Sequence, residues 1–301
     1  MSEPTTRTQA RTNRIGRHLP TSGGLEKTLR LAQEQELEMV QIFVSNPQGW
    51  AVPVPRPDAA LFVERAREIG LDPVVVHAKY LINLASPDPE LRERSARVLA
   101  AELVAAGSVG AEFVVVHSGS HGGSGEEKGM GRLVEGLAGA RELAAEEAGT
   151  EKAVEPAEPL VENSVGAGTQ LCSTFDTLAK VAERARVQVC VDTAHAYVAG
   201  YDLSMPEGAR EVVSELAATL GDRLALLHLN DPRNSFGSHR DGHERIGEGH
   251  VSREAWVELF GGAPGVPVVM ETPYATPETD AEQVRLAKEL AGGLPLSRQW
   301  V

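Results

Sequence analysis

Short apolar runs recur along the chain, and longer stretches with apolar residues at helical spacing separate them. Eight of these runs predict β-strands, at residues 14–19, 39–44, 74–78, 113–118, 159–163, 187–193, 224–230 and 267–272. The stretches between them, such as PELRERSARVLAAELVAAG and TFDTLAKVAERAR, predict helices. A strand followed by a helix, eight times over, predicts an α/β fold, the (β/α)8 TIM barrel; an open doubly wound sheet is the alternative.

Three segments fall outside this repeat. Residues 1–14 are polar and lack the apolar stretch of a signal peptide or membrane anchor, so they predict a disordered tail before a single barrel domain at 15–301. GSHGGSGEEKGMG, at 119–131, predicts a long loop at the C-terminal end of the fourth strand. EEAGTEKAVEPAEP, at 146–159, predicts a flexible, non-catalytic insertion on the opposite face.

Six of the predicted strands end in a histidine or an acid. Parallel barrel strands direct their C-terminal ends to one face, which is where barrel enzymes place their chemistry. We therefore expect these six side chains to converge although they lie far apart in sequence. In chain order they are His77, His117, Glu162, Asp192, His228 and Glu271.

Two loops add three further candidates. His195 follows Asp192 directly after the sixth strand, and Asp241 and His243 form an Asp-x-His pair in the loop after the seventh. Taken singly, each residue has an ordinary explanation, such as a structural histidine, a helix cap or loop polarity. Together they form a set of imidazoles and carboxylates, which suits Zn, Mn or Fe better than Mg or Ca. At three or four ligands each, nine side chains hold two or three ions.

Charge and cysteine content limit the functional classes. The net charge of -14 argues against nucleic-acid binding, which normally uses clustered Lys and Arg. A local cluster of divalent ions would still favour an anion such as a phosphate ester, because exposed charges are screened beyond about 10 Å. Cys172 and Cys190 fit neither a disulfide scaffold nor a cysteine zinc site, which suits a reducing cytoplasm. No apolar run reaches the roughly 18 residues of a membrane span.

Seven motifs closely resemble those of the endonuclease IV family. They are IGRHLPTSGGLEKTL (15–29), HAKYLINLASP (77–87), VVVHSGSH (114–121), VENSVGAG (161–168), VDTAHAYVAGYDL (191–203), HLNDPRNSFGSHRDGHERIGEG (228–249) and METP (270–273). The resemblance implies a TIM barrel with three zinc ions, with manganese or iron as alternatives at one position. It also implies cleavage of DNA 5′ to abasic sites, leaving a 3′-hydroxyl and a 5′-deoxyribose phosphate.

The resemblance further implies how the nine ligands divide. His77 and His117 would hold one ion, and Glu162 would bridge it to a second. Asp192, His228 and Glu271 would complete the second ion, and His195, Asp241 and His243 would hold the third. The family reaction is attack by metal-activated hydroxide on the phosphodiester, and Glu162 and Glu271 are the predicted catalytic carboxylates.

The DNA-recognition residues match the family less well. Gln48 in SNPQGW stands where many relatives have an arginine that enters the duplex, and His239 and Gly242 replace residues that are often arginine. Arg240 is the candidate that partly compensates. Tyr80 matches a family residue near bound DNA, with simple packing at the barrel rim as the alternative. These departures predict weaker duplex binding more than altered phosphodiester chemistry.

The sequence therefore predicts a cytoplasmic, nucleoid-associated abasic-site endonuclease of base-excision repair. We expect a monomer that acts on damaged double-stranded DNA, with no membrane and no protein partner. The sequence also allows two alternatives. One is a metal-dependent sugar isomerase or epimerase holding one or two ions. The other is a lesion-binding relative that cuts abasic DNA slowly.

Overall fold

The fold is known from a computed structural model that describes residues 13–151 and 154–292. Eight parallel strands form its central sheet, β1 (Ile15–Leu19), β2 (Met39–Ile42), β3 (Val74–His77), β4 (Phe113–His117), β5 (Glu158–Glu162), β6 (Gln188–Asp192), β7 (Leu224–His228) and β10 (Val268–Met270). They close into a barrel in the order β1, β10, β7, β6, β5, β4, β3, β2. This confirms the predicted TIM barrel and excludes the open doubly wound sheet.

Helices surround the barrel and join successive strands. They are α1 (Leu25–Glu34), α2 (Ala59–Glu68), α3 (Pro89–Ser108), α4 (Glu126–Glu151), α5 (Phe175–Ala185), α6 (Thr193–Ala199), α7 (Pro206–Thr219), α8 (Arg253–Gly262) and α9 (Pro277–Ala291). Two very short antiparallel strands, β8 (Asp231–Pro232) and β9 (His243–Glu244), lie in the segment after β7. Within the described residues, no helix is both long and apolar enough to span a membrane.

The barrel interior is filled by one layer of apolar side chains. Seven strands each contribute one buried residue to this layer, and β1 contributes Gly16. A Cβ atom at Gly16 would collide with Met39, so glycine makes room for the larger side chain on the neighbouring strand. The seven residues are Met39, Val75, Val115, Leu160, Cys190, Leu226 and Val269.

The predicted loop at 119–131 is too long, because α4 already begins at Glu126. The glycines of this stretch have two roles. Those before α4, such as Gly123 and Gly125, have a positive φ and form the loop that was predicted. Gly129 lies within α4, where a Cβ atom would meet His121, so it serves close packing of the helix. Sequence composition does not separate these two roles.

The insertion predicted at 146–159 also differs from the structure. Helix α4 continues to Glu151 and β5 begins at Glu158, so a single short link joins them. Residues 152–153 of this link lie outside the described residues. Farther along, the backbone of Glu155 lies against Gly107 of α3, where a Cβ atom would collide with it.

The predicted tail ends earlier than residue 14. The Asn13 amide donates hydrogen bonds to the carbonyl oxygens of Ala263 (2.7 Å) and Val266 (2.8 Å). Arg14 donates to the Gly70 carbonyl at 2.8 Å. These two residues are part of the barrel, and residues 1–12 of the predicted tail lie outside the described residues.

Candidate metal centre

The side chains above the apolar layer are all polar. Side chains two residues apart in a strand point to the same side, so each barrel strand places a second inward residue nearer its C-terminal end. Six of these positions are the predicted strand-end candidates, and the other two complete the ring from β1 and β2. In the order of the strands, the eight residues are His18, Gln41, His77, His117, Glu162, Asp192, His228 and Glu271.

Glu162 contacts ring residues on both sides of it. Its Oε2 is 3.5 Å from His77 Nε2 and 3.2 Å from His117 Nε2. Its Oε1 is 3.0 Å from His228 Nδ1, which in turn is 3.3 Å from Glu271 Oε2. One carboxylate thus belongs to two adjacent groups that could each hold an ion: His77, His117 and Glu162, and Glu162, Asp192, His228 and Glu271.

A third group forms where two loops meet Asp192. Asp192 caps α6, since its Oδ1 accepts the His195 backbone N–H at 2.8 Å. Its Oδ2 faces the site, 3.8 Å from His243 Nε2. Asp241 Oδ1 lies 3.4 Å from His195 Nε2 and 3.2 Å from His243 Nε2. Asp192 therefore caps α6 with one oxygen and directs the other toward a group that could hold a cation.

Three of the histidines have their outer ring nitrogen directed at an oxygen acceptor. Such a contact fixes the tautomer and leaves the other nitrogen as a possible ligand, as in many metal sites. The acceptors are the backbone carbonyls of Ala78 for His77 (2.8 Å) and Asn163 for His195 (3.0 Å), and the Gln41 amide oxygen for His228 (2.9 Å).

Two buried atoms in these groups lack a hydrogen-bond partner among the described residues. They are Glu162 Oε2 and His243 Nε2. Leaving such polar atoms unpaired inside a protein is costly. Each belongs to a group whose nitrogen and oxygen ligand atoms lie within 4.8 Å of one another. The residues present therefore fit divalent cations of the zinc type.

The electrostatic field of the site attracts cations. Burial disfavours a charge on Glu162, yet the positive charge of His228 and the imidazole of His117 hold the pKa of Glu162 well below its usual value. Burial also disfavours a charge on His243, but the carboxylates of Asp192 and Asp241 raise the pKa of His243 to about 9. The lowered pKa keeps Glu162 ionised, and the raised pKa keeps a proton on His243; a bound cation could supply the positive charge that this proton now supplies.

Gln41 and His18 were not among the predicted site residues. Gln41 is fully buried, and its amide nitrogen donates to Glu271 Oε1 at 2.7 Å and lies 3.0 Å from His18 Nδ1. Its amide oxygen accepts from His228 Nε2. Gln41 therefore orients one carboxylate and one imidazole of the second group. The periodicity of the strands could have identified both residues. Gln41 lies two residues after Met39, and His18 lies two residues after Gly16, and both of these earlier residues point into the barrel.

Asn230 and Asn163 hold the carboxylates from outside. The Asn230 amide nitrogen donates to Asp192 Oδ2 at 2.5 Å and Glu271 Oε2 at 3.3 Å, and its oxygen accepts the Glu271 backbone N–H at 2.8 Å. Asn163 exchanges two hydrogen bonds with the Asp192 backbone, at 2.6 and 3.1 Å. Both asparagines are buried, so they fix the orientation of the ligands.

We expect Asn230→Asp to weaken metal binding by about 10- to 100-fold, the usual cost of losing an outer partner of a ligand. The substitution keeps the shape of the side chain but places a third carboxylate against Asp192 and Glu271. Competition with a chelator measures the affinity. Asn13→Asp is the matched control, since Asn13 is a buried amide donor at the opposite end of the barrel. Equal metal affinities of the two variants would contradict the role of Asn230.

The predicted DNA-binding residues Tyr80, Gln48 and Arg240 differ in their position relative to the ligand groups. The Tyr80 ring is 52% exposed and lies 5.5 Å from the His77 ring and 5.7 Å from the His117 ring, beside the first group. Tyr80 lines both cavities that open over the ligand groups, whereas Gln48 and Arg240 line neither.

His239 is exposed, and a single contact to the backbone orients its ring. Its Nδ1 lies 2.7 Å from the Val165 carbonyl oxygen, and its backbone has a left-handed φ of 55°.

Comparison with known proteins agrees with the barrel and with the motifs. A family model described as "Xylose isomerase-like TIM barrel" matches residues 29–290. "Probable endonuclease 4" of Carboxydothermus hydrogenoformans is 34% identical over 94% of this chain and 99% of its own length. "Probable endonuclease 4" of Natronomonas pharaonis is 35% identical over 92% and 98%.

Solved structures give the same result. Endonuclease IV from Thermus thermophilus superposes with a TM-score of 0.81 at 31% identity, covering 93% of this chain and 100% of that one. A D-tagatose 3-epimerase-like protein reaches 0.69 at 19% identity over 93% and 97%, which shows a shared fold alone. The length and identity of these matches establish that the chain belongs to the endonuclease IV family.

Proposed function

We propose that the protein is a metal-dependent phosphodiesterase that cleaves damaged double-stranded DNA 5′ to abasic sites, giving 3′-hydroxyl and 5′-deoxyribose phosphate ends. The observation that supports this most strongly is the arrangement of nine imidazole and carboxylate side chains in three adjacent groups at the open end of the barrel. A cluster of cations there suits a phosphodiester, which carries negative charge on its non-bridging oxygens.

We assign three zinc ions to these groups, with manganese or iron as alternatives at one position. His77 and His117 would hold the first, with Glu162 shared between the first and second. Asp192, His228 and Glu271 would complete the second. His195, Asp241 and His243 would hold the third, where the two histidines already lie within 3.4 Å of the Asp241 carboxylate.

When bound, such ions supply positive charge to the phosphodiester and lower the pKa of water. The chain's own residues position the reaction. Glu162 is buried and keeps the first two groups at a fixed separation. Glu271 is 16% exposed and lines the cavity, so it is the carboxylate that can orient the attacking water and accept its proton. Gln41 and Asn230 hold Glu271 in place for this role.

Product analysis tests this reaction. A duplex with one abasic site and a label on each strand end is incubated with protein of measured metal content. We expect a single cut 5′ to the lesion and a 3′ end that a DNA polymerase extends directly. A cut 3′ to the lesion, or an end that cannot be extended, would contradict the proposal. Tight binding of the lesion without cleavage would instead favour a lesion-binding relative.

A further inference from the structure

Tyr274 is an aromatic residue at the metal centre that sequence analysis did not single out. It lies in the segment between β10 and α9, three residues after Glu271, and its side chain is 53% exposed. Tyr274, Tyr80, Glu271 and His243 line one cavity of about 250 Å³ over the second and third ligand groups. Two half-exposed tyrosines thus border the opening through which a substrate would reach the ligands.

A buried arginine, Arg17, stabilises the segment between β10 and α9 that carries Tyr274. Arg17 neighbours His18 on β1, so its side chain points outward from the barrel and is only 1% exposed. It donates to the carbonyl oxygens of Thr272 at 3.1 Å and Pro273 at 3.2 Å. Its guanidinium carbon lies 4.7 Å from the centre of the Tyr274 ring, and Asp280 balances its charge at 2.8 Å.

The segment is also fixed on its other side. Asp280 Oδ1 accepts the Ala275 backbone N–H at 3.1 Å, and the Tyr274 hydroxyl donates to the His18 carbonyl oxygen. A ring held this firmly loses little conformational entropy when a ligand packs on it.

The charges around Tyr274 indicate the direction from which a polyanion approaches. On the side away from the metal centre, Tyr274 borders a cavity of about 600 Å³. Four acidic residues line this cavity, against the single basic residue Arg285. They are Glu34, Glu278, Asp280 and Glu282. Asp280 is paired with Arg17, and the other three would repel a phosphate backbone. The charges therefore favour an approach of DNA to the ring from the side of the ligand groups.

We propose that Tyr274 is a substrate-binding residue whose ring stacks on a base next to the abasic site, in the cavity that it lines together with Tyr80. This inference rests on the proposed function. Stacking on an aromatic ring binds nucleotides without positive charge and without regard to sequence. It would supply affinity in a chain of net charge -14.

Steady-state kinetics on abasic duplexes test the proposal. We compare Tyr274→Ala, Tyr274→Leu and Tyr274→Phe with wild type, after checking the metal content and melting temperature of each. Loss of one stacked base predicts a KM higher by roughly tenfold for Ala and Leu, with a smaller change in kcat. Tyr274→Phe keeps the aromatic ring, so its KM should stay close to that of wild type. Leu143→Ala, on the outer side of α4, is the control for loss of an exposed apolar side chain.

Two further duplexes identify the stacked base. Each lacks the base on one side of the lesion, 5′ or 3′, in addition to the abasic site itself. If Tyr274 stacks on one of these neighbouring bases, Tyr274→Ala raises KM for the ordinary duplex. It then has no effect on KM for the duplex that lacks the stacked base. An unchanged KM for Tyr274→Ala and Tyr274→Leu on the ordinary duplex would overturn the assignment, as would equal effects on all three duplexes.

The wild-type protein separates this inference from the proposed function. If wild type hydrolyses bis(4-nitrophenyl) phosphate but leaves abasic duplex intact, the proposed function is rejected and the assignment of Tyr274 falls with it. If wild type cleaves the duplex and the Tyr274 variants match it, only the inference about Tyr274 fails.

Discussion

Glu162→Gln should reduce kcat/KM on abasic duplex by more than about 100-fold, beyond the usual cost of losing an outer partner of a ligand. Glu162 is the one carboxylate that faces both the His77 and His117 pair and the group around His228. Glutamine keeps the size of the side chain but replaces one ligand oxygen with an NH₂ group, which cannot bind a cation. We expect the variant to lose bound metal as well as activity.

Glu158→Gln is the matched control for this variant. Glu158 lies on the same strand, β5, but at its exposed end, where it pairs with Arg141 at 2.8 Å. An exposed ion pair contributes little to stability, so this variant should keep its metal and its activity. If Glu162→Gln retained full metal content and cleaved within tenfold of wild type, the central position of Glu162 in the site would be wrong.

Removal of metal should abolish cleavage and lower the melting temperature. Without cations, the buried carboxylates of Glu162 and Asp192 lie close to Glu271 with only imidazoles to balance them. A ligand at about 100 times its Kd stabilises a folded protein by about 2.7 kcal/mol, which corresponds to roughly 4 °C for a chain of 301 residues. Differential scanning calorimetry with and without zinc measures this shift, and mass spectrometry confirms the metal content.

Metal stoichiometry also separates the proposed function from a sugar isomerase or epimerase. We expect two or three ions per chain and recovery of cleavage when zinc is restored. One ion per chain together with turnover of a sugar would favour the isomerase. A metal-free protein with unchanged melting temperature and full cleavage would rule out a metal-dependent reaction.

Much of the fold and the ring of strand-end residues could be predicted from the sequence, because both follow from local periodicity. The apolar runs marked eight strands, and parallel geometry then required that residues such as His77 and Glu271 converge despite their separation in sequence. The resemblance to the family added how the candidates divide among ions, which spacing alone left open.

The remaining features depend on contacts between distant segments. Gln41 lies in an apolar run, and nothing local shows that its amide reaches both His228 and Glu271. The effect of Arg17 on Tyr274 likewise arises only when β1 and the segment before α9 come together. The start of α4 was predicted as part of a loop, because composition does not show that His121 packs on Gly129.

The most direct test of the proposed function is cleavage of a duplex with one central abasic analogue, by protein of measured metal content, across a salt series. We predict cutting 5′ to the lesion at two or three ions per chain. We also predict a shallow dependence on salt, because a chain of net charge -14 whose proposed contact is aromatic stacking should displace few counterions from DNA. An uncut abasic duplex at full metal occupancy would contradict the account and would mean that the metal centre acts on a different phosphate or sugar substrate.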